Sequence, residues 1–430
     1  MSAGMPSCAR IWGTVTSSDG AVARVGGLDR LARLGDGLIL ERRAAAAIRA
    51  EVIALDAGGA TALLMGPGEG LARGDKAWLS VRPDPRPSEA WLGQVVDADG
   101  RVRGGDDPLP GQEPAPLRRH PPAAEARRGL GRRLVTGLAA TDTLLPICRG
   151  QRIGLFAGSG VGKSVMLGAL AQGLAADVIV VGLIGERGRE VGEFVRDRLG
   201  AAMSRCIVVA ATSDRSALEK RRAALLTLSV AEHFRDRGAH VLCLLDSLTR
   251  VAEAHREIAL AAGEAPALRA FPPSTGPEIA GLCERAGPGA GGPGDITAVF
   301  TVLVAGSDME EPVADMVRGV LDGHVVLDRA IAERGRFPAI DLRRSVSRSV
   351  PAAWSAEEAA LASRARRLIA AYEEASPMIQ AGLYQPGGDE VLDDAVRLWP
   401  ELDRFLALPS QGADSAASFA RLGEILDGGR

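Results

Sequence analysis

Lysine is almost missing from this chain: only three of its 51 basic residues are lysines, Lys76, Lys163 and Lys220, and the rest are arginines. Arginine presents a broad planar fork, whereas lysine carries a compact charge on a thin stem. A solvated surface accepts either residue, but a backbone loop wrapped closely around a phosphate needs the thin stem. A lysine kept inside a glycine-rich segment of such a chain therefore points to phosphate binding.

Other shortages exclude whole classes of protein. Aromatic residues make up 3% of the chain and the net charge is −3, so neither a base-stacking platform nor a basic surface supports a nucleic-acid partner. The five cysteines form no Cys-x-x-Cys pair, which is typical of a reducing cytoplasm. Apolar runs fall far short of a membrane span, and no signal-peptide pattern opens the chain. We therefore expect a cytoplasmic protein whose membrane contact is peripheral.

Composition divides the 430 residues into four segments. Residues 1–105 contain short strands punctuated by glycine and aspartate, which predict a small β-barrel. The five predicted strands are 11–15, 22–25, 37–40, 51–55 and 60–65. Residues 106–135 are rich in proline and arginine and predict a linker, whose basic cluster we interpret as solvated. Residues 136–350 alternate buried strands with helices, the pattern of a doubly wound α/β sheet. The predicted strands are 151–156, 177–185, 205–211, 240–246 and 296–305. Residues 351–430 have helical spacing and predict a helical domain.

The second of the three lysines follows a glycine-rich turn between a predicted strand and a predicted helix. The segment reads Ala157-Gly158-Ser159-Gly160-Val161-Gly162-Lys163-Ser164-Val165. Its glycines allow successive N–H groups to point at one anion, and the helix N-terminus adds partial positive charge. A strand, a glycine loop, Lys-Ser and a helix together indicate a nucleoside-triphosphate P-loop, although alanine replaces the usual first glycine. We predict that residues 158–165 bind the nucleotide.

Two carboxylates follow predicted strands of the same sheet. Asp246 ends an apolar strand and, with the Ser164 hydroxyl, is predicted to hold Mg²⁺, directly or through water. Glu186 follows another strand and is predicted to orient the water that attacks the γ-phosphate of ATP. Arg187, the next residue, is predicted to contact that phosphate. ATP and Mg²⁺ are therefore the expected ligands.

The motifs taken together resemble those of the F1/V-type ATPases, and specifically of the type III secretion and flagellar protein-export ATPases. Besides the P-loop, the residues that carry the resemblance lie in 182–191, 246–250, 256–264, 271–274, 321–324, 337–348, 382–384 and 398–400. The resemblance implies an α/β, RecA/F1-like P-loop core with an N-terminal β-barrel and a C-terminal helical domain. It also implies a homohexamer that binds ATP between subunits.

Three residues acquire a role only through this resemblance. Arg348 shows no local sign of catalysis, but it matches an arginine finger that acts on the neighbouring subunit's ATP. Phe337 and Tyr384 would by themselves be interpreted as core aromatic residues, but they match positions near the adenine. Lys163, Glu186, Arg187 and Arg348 are thus the expected catalytic set.

The resemblance further implies a role in protein export at the inner face of the cytoplasmic membrane. The expected partners are stator-like and stalk-like export proteins, a membrane export gate, export substrates and their chaperones. Two features depart from the family pattern. The segment after 271–274 lacks the usual apolar-aromatic loop. Only about nine residues precede the first predicted strand, fewer than the ~12–15 of a stable helix, so we do not expect the usual stator-binding helix.

Three other functions stay open at this point. A catalytic subunit of a rotary F/V-type ATPase would need a non-identical partner subunit. A Rho-like hexameric RNA translocase shares the core, but the negative net charge and few aromatic residues disfavour it. A non-catalytic nucleotide-binding subunit is disfavoured because Glu186 and Arg348 occur in one chain. No residue decides between a flagellar and an injectisome system.

Overall fold

The computed structural model of the protein describes residues 11–43, 45–80, 82–102, 105–267, 270–304, 308–350, 352–407, 409 and 415–428. Within them a closed six-stranded barrel is followed by a nine-stranded sheet with its helices and by a C-terminal helical part. The predicted α/β core between a small barrel and a helical domain is confirmed. The residues before the first strand, on which the expectation about a stator-binding helix depends, lie outside the described ranges.

The barrel closes in the order β1-β2-β5-β4-β3-β6. Its strands are β1 (Trp12–Ser18), β2 (Val22–Gly26), β3 (Gly37–Arg42), β4 (Ala45–Asp56), β5 (Gly59–Leu64) and β6 (Lys76–Ser80). Apolar side chains at alternate positions, among them Val15, Val25 and Leu38, fill the interior. The sequence predicted five of these strands and missed β6, whose five residues carry little alternation.

The central sheet has the order β15-β14-β8-β13-β11-β9-β10-β7, with β12 paired to β13. Its strands are β7 (Val95–Val96), β8 (Arg152–Ala157), β9 (Val178–Ile184), β10 (Cys206–Ala211), β11 (His240–Asp246), β12 (Gly287–Pro288), β13 (Asp295–Leu303), β14 (Gly323–Leu327) and β15 (Ile340–Ser347). Every residue of β9 and β11 is buried, because helices cover both faces of this largely parallel sheet.

The helices of the central part include two that start at the site-bearing edge of the sheet. They are α1 (Ala139–Thr143), α2 (Lys163–Gly173), α3 (Gly188–Glu193), α4 (Ala217–Arg235), α5 (Leu248–Ala261), α6 (Thr275–Glu284), α7 (Pro312–Val320) and α8 (Arg329–Glu333). Helix α2 follows β8 and helix α5 follows β11. Their N-termini therefore lie where β8 and β11 end, and this arrangement brings the P-loop and Asp246 to one edge.

The barrel ends earlier than the sequence predicted. The first segment was expected to reach residue 105, but β7 pairs in parallel with β10 of the central sheet. The residues around β7 therefore belong to the central sheet, and this part of the prediction is wrong. A two-residue strand has no periodicity from which its partner could be inferred. Near this segment, Asp99 accepts hydrogen bonds from Arg49 of the barrel at 2.7 Å and from Arg222 of α4 at 2.8 Å.

The proline- and arginine-rich segment 106–135 is tied to the core. Arg119 Nη1 lies 2.8 Å from Asp236 Oδ2, and Arg128 Nη2 lies 2.5 Å from Asp295 Oδ1. Leu117 is buried among residues of the central core. Both arginines are exposed, and each pairs with an acidic residue that lies more than 100 positions further along the chain.

The C-terminal part consists of α9 (Ala356–Gln380), α10 (Glu390–Ala407) and α11 (Ser415–Leu426). A capping box between Ser355 and Glu358 starts α9. The rings of Tyr372 and Trp399 stack with 4.0 Å between their centroids and join α9 to α10. Among the described residues, no helix combines the length and the apolar composition that crossing a membrane requires.

Candidate functional site

The ends of β8, β9, β10 and β13 and the first turn of α5 enclose a cleft of about 420 Å³ at the edge of the sheet where ligands of open α/β folds bind. The cleft is lined by Gly158, Ser159, Gly160, Gly162, Lys163, Ser164, Val165, Gly185, Glu186, Arg187, Glu190, Ser213, Arg250 and Leu303. The predicted P-loop residues other than Val161 therefore line one cavity together with Glu186 and Arg187. Their individual roles stay predictions.

The P-loop connects β8 to α2, which begins at Lys163. Gly160 and Gly162 have φ angles of +78° and +91°, in the left-handed region that side chains other than glycine rarely adopt. A Cβ atom on Gly162 would lie 3.0 Å from the ring of Phe337. Glycine is thus required at 162 by both the backbone angle and the neighbouring ring, and the loop is kept close to the N-terminus of α2.

Lys163 lies between two carboxylates at the floor of the cleft. Its Nζ atom is 2.5 Å from Asp246 Oδ1 and 3.1 Å from Glu186 Oε1. The side chain of Asp246 is 4% exposed, and the other two are also mostly buried. Burial lowers the pKa of the Lys163 amine, but attraction to Asp246 and Glu186 outweighs burial and raises the pKa above its ordinary value. The lysine therefore stays charged.

The carboxyl group of Glu186 has a pKa raised above its ordinary value. Burial raises the pKa of its carboxyl group, and repulsion from Asp246 raises it further, against the opposing effect of Lys163. A hydrogen bond joins Glu186 to Glu190, and this bond and the charge of Arg187 lower the pKa of Glu190. A raised pKa brings a carboxylate closer to the range in which a general base works at neutral pH.

The other residues predicted to contact the nucleotide differ in whether their side chains face the cleft. Ser164 and Val165 lie in the first turn of α2 and line the cleft. The side chain of Val161 is buried in the hydrophobic core, so only its backbone can contribute to phosphate binding. Arg187 lines the cleft, but its side chain is 76% exposed and pairs with Glu190 at 2.9 Å. Its contact with phosphate stays a prediction.

The two residues expected near the adenine lie in different surroundings. Phe337 is 44% exposed and packs against Gly162 of the P-loop. Tyr384 lies between α9 and α10, and its hydroxyl donates to Asp393 Oδ1 at 2.6 Å. Neither residue lines the cleft as described above. Phe337 is thus next to the phosphate loop, while an adenine contact stays a prediction for both.

Arg348 lies away from the cleft of its own chain. Strand β14 runs parallel to β8, and β15 runs antiparallel to β14. Ile340, the start of β15, is therefore on the P-loop side of the sheet, and Ser347 lies roughly 20 Å of strand away at the other side. Arg348 follows Ser347, is exposed, and donates to the carbonyl oxygen of Arg318 over 3.5 Å.

Sequence reasoning missed two side chains that shape the site. Thr301 of β13 donates a hydrogen bond to Asp246 Oδ1 at 2.6 Å. Its signal was a hydroxyl in the interior of an otherwise apolar strand. Arg250 of α5 lines the cleft and pairs with Glu253 at 2.8 Å. Its signal is its place one turn after Asp246, within the segment 246–250 that carries the family resemblance.

These features define a P-loop nucleotide-binding ATPase class: a parallel sheet, a glycine loop before a helix, and a lysine between two carboxylates. The family model "ATP synthase alpha/beta family, nucleotide-binding domain" matches residues 137–347, and the model "T3SS EscN ATPase C-terminal domain" matches residues 354–427. The chain belongs to the ATP synthase alpha/beta family, among the flagellar and type III secretion ATPases. The resemblance found in the sequence is confirmed.

Individual relatives match this chain over nearly its full length. The chain is 46% identical to the flagellum-specific ATP synthase of Caulobacter vibrioides, over 97% of this chain and 96% of that protein. It is 40% identical to the type 3 secretion system ATPase of Xanthomonas euvesicatoria, over 97% and 93% of the two chains. The assembled ATPase EscN of enteropathogenic E. coli matches with a TM-score of 0.87 and 36% identity, over 96% of this chain and 100% of EscN. EscN in complex with its central stalk EscO matches with a TM-score of 0.84.

Proposed function

We propose that this protein hydrolyses ATP as a homohexamer and thereby energises flagellar or type III protein export. The observation that carries the ATPase assignment is the contact of Lys163 with both Glu186 and Asp246 beside the P-loop. A phosphate-binding cation, a water-orienting carboxylate and a metal-facing carboxylate are the groups that phosphoryl transfer to water requires. All three are present in one chain, which disfavours a non-catalytic subunit.

The P-loop would hold the nucleotide through its backbone. The N–H groups of residues 158–165, at the N-terminus of α2, would donate to the β- and γ-phosphates, and Lys163 would balance their charge. Arg187 would add a contact to the γ-phosphate from the rim of the cleft. Phe337, packed on Gly162, and Tyr384 would flank the adenine.

The residues at the floor of the cleft fit Mg²⁺. The Ser164 hydroxyl and the Asp246 carboxylate supply oxygen ligands, which this hard cation prefers, and no soft ligand takes part. Mg²⁺ commonly uses one or two protein oxygens together with water and substrate phosphates, so two protein ligands are sufficient. When bound, the ion would neutralise charge on the β- and γ-phosphate oxygens.

Glu186 would accept the hydrogen bond of the attacking water and orient it toward the γ-phosphate. Its burial and raised pKa support this assignment, because a base with too low a pKa would polarise water weakly. As the bond to the γ-phosphate breaks, negative charge shifts to the leaving β-phosphate oxygen. Lys163, at the start of α2 after the glycine loop, would stabilise that charge.

Arg348 would act on the ATP of the adjacent subunit. It is exposed and lies on the side of the sheet remote from its own P-loop. In a closed ring of identical head-to-tail contacts, one edge of each subunit meets the opposite edge of the next. An arginine at one edge and a phosphate cleft at the other are therefore compatible with shared sites.

The protein partners are proposed from the family to which the chain belongs, and not from contacts that its own residues make. EscN, which this chain resembles along its length, is known in an assembled form and with a central stalk. We propose the same self-assembly and a stalk-like partner here. Stator-like proteins, a membrane export gate, substrates and chaperones, and peripheral attachment to the inner face of the cytoplasmic membrane complete the proposal.

The decisive experiment measures ATPase activity of the purified chain against its concentration, with Mg²⁺ and after chelation. Activity should require Mg²⁺, and activity per chain should rise steeply as the oligomer forms, because each site is completed by a neighbour. Constant activity per chain on dilution below the oligomer's dissociation constant would contradict shared sites. Strong stimulation by RNA would favour a translocase, and activity only with a second type of subunit would favour a rotary enzyme.

A further inference from the structure

Asp246 receives two hydrogen bonds on the same oxygen atom. Lys163 Nζ lies 2.5 Å and Thr301 Oγ1 lies 2.6 Å from Asp246 Oδ1. We propose that Thr301 is a positioning residue that holds the Asp246 carboxylate through Oδ1 and leaves Oδ2 as the oxygen available to Mg²⁺ or to its water. This inference rests on the proposed function, because it assigns to Asp246 the metal-facing role in ATP hydrolysis.

The two donors to Asp246 differ in how firmly they are placed. The ammonium of Lys163 ends a flexible four-carbon stem, and the proposed reaction requires it to contact phosphate. Thr301 is fully buried and β-branched, so its χ1 angle is restricted. A donor that stays in place while the lysine engages a phosphate is what a carboxylate needs in order to keep one orientation.

The backbone around Thr301 is fixed on both sides. Strand β13 lies between β8, which leads into the P-loop, and β11, which ends in Asp246. Thr301 is paired with Leu155 of β8, and the preceding residue, Phe300, is paired with Leu245 of β11. The hydroxyl of Thr301 is therefore held by two ladders of backbone hydrogen bonds at a fixed distance from the P-loop strand.

A second hydroxyl ties the same two strand ends together. The backbone N–H of Leu303 donates to Thr249 Oγ1 at 2.9 Å, which joins the end of β13 to the first turn of α5. Asp246 thus lies in a segment anchored to β13 before and after the turn into α5. Because the backbone is already restrained by this second contact, removing the hydroxyl of Thr301 should affect mainly the rotation of the Asp246 side chain.

Partners that orient a metal-binding carboxylate commonly change metal affinity or activity by about 10- to 100-fold when they are removed. A threonine that only satisfied a polar group in the core would instead change stability without changing the requirement for metal. The two roles can be told apart by metal affinity measured separately from turnover.

The test compares Thr301→Val, which keeps the shape and removes the hydroxyl, with Thr301→Ser, which keeps the hydroxyl. The Mg²⁺ concentration that half-saturates ATPase activity should rise about tenfold in the Val variant and stay near wild type in the Ser variant. Mn²⁺ binding in the presence of a non-hydrolysable ATP analogue, followed by electron paramagnetic resonance, should weaken by a similar factor. Binding of the same analogue without metal should change less than about twofold, because Thr301 touches no proposed phosphate ligand other than through Asp246.

Thr297→Val is the matched control. Thr297 is also fully buried on β13, but its hydroxyl accepts from the N–H of Gly150 at 2.9 Å and contacts His240 at 2.8 Å, at the far end of the strand. This variant should lower thermal stability and leave the Mg²⁺ requirement unchanged.

The inference would be overturned if Thr301→Val left the Mg²⁺ requirement unchanged, or if Thr301→Val and Thr297→Val changed it equally. If Thr301→Val does not fold, Thr301→Cys, with its weaker donor, should shift the metal requirement in the same direction. Wild-type protein without Mg²⁺-dependent hydrolysis would instead overturn the proposed function, so the two failures are distinguishable.

Discussion

The two parts of the proposed catalytic site are built in opposite ways. Lys163 contacts both Glu186 and Asp246 over 3.1 Å or less within one chain, and the three side chains are mostly buried. Arg348 is exposed and lies at the other side of the sheet. Among the described residues, its side chain donates a hydrogen bond only to the backbone carbonyl of Arg318. The difference indicates that nucleotide binding is pre-organised in each chain, whereas fast hydrolysis depends on a neighbour. Five predictions can break or sharpen this comparison.

Arg348→Ala removes the exposed half of the site. We expect kcat to fall by about 10³-fold or more, because the arginine would neutralise charge that develops in the transition state. Nucleotide binding by the single chain should be unchanged, since Arg348 lies outside its cleft. Arg343→Ala is the control. Arg343 is exposed on β15, the strand that Arg348 follows, and it pairs with Glu374 at 3.0 Å, so its loss should leave kcat near wild type.

Mixing variants tests whether Arg348 acts between subunits. Chains with Lys163→Ala and chains with Arg348→Ala should each be inactive. Mixed oligomers should regain part of the activity, because some interfaces combine an intact lysine from one chain with an intact arginine from the other. No recovery in mixtures that demonstrably co-assemble would show that Arg348 does not act in trans.

Glu186→Gln alters the buried half. We expect ATP to bind with nearly normal affinity and kcat to fall by about 10²-fold or more, since the amide cannot accept a proton from the attacking water. Single-turnover hydrolysis and equilibrium binding of ATP separate the two effects. Glu190→Gln, at the rim, should lower kcat far less. Near-normal turnover of Glu186→Gln would exclude this residue as the water-orienting base.

Gly162→Ala tests whether the P-loop is as firmly fixed as its contacts indicate. A φ angle of +91° disfavours alanine by about 1–2 kcal/mol, and its Cβ would press on the Phe337 ring. We expect a lower melting temperature and weaker ATP binding. Gly158→Ala is the control for stability, since φ there is not positive and the nearest neighbour of a Cβ lies 3.6 Å away. Equal melting temperatures for the two variants would contradict the argument.

The acid limb of the pH–rate profile should report Glu186. Because its pKa is raised and its carboxylate is the active form, activity should be lost as pH falls at a higher pH than for an ordinary glutamate. Glu190→Ala removes a hydrogen bond that raises this pKa, so it should move the acid limb to slightly lower pH. A limb that shifts to higher pH, or does not move, would argue against the coupling of Glu186 with Glu190.

Local patterns were sufficient for most of the core. The runs of Val, Ile and Leu in β9 and β11 marked both strands to within about a residue of their ends, because fully buried strands have a strong apolar signal. The P-loop was recognised because its chemistry requires a contiguous segment. Strands β6, β7, β12 and β14 were missed, since none has more than five residues and each offers too little pattern. Strand β15 was also missed, because Arg343 and Arg344 interrupt its apolar pattern.

Contacts between distant parts of the chain could not be predicted in the same way. Thr301 and Asp246 are 55 positions apart, and Arg119 and Asp236 are 117 apart. Which hydroxyl meets which carboxylate depends on strand order, and the order of the sheet places β13 between β8 and β11 against the sequence order. The side chains that support the site could therefore be identified only from the three-dimensional structure. The side chains proposed to bind ATP could be identified from the sequence motifs.

The shortage of lysine turns the protein into a convenient subject for chemical labelling. Its three lysine amines lie in three different places: Lys76 over two tryptophan rings of the barrel, Lys220 donating to the carbonyl of Ser213 at the rim of the cleft, and Lys163 at the floor. An amine-directed reagent read out by mass spectrometry would thus give one signal from each. The first would follow the barrel surface, the second the rim, and the third, protected by its two carboxylates, would follow occupancy of the nucleotide site.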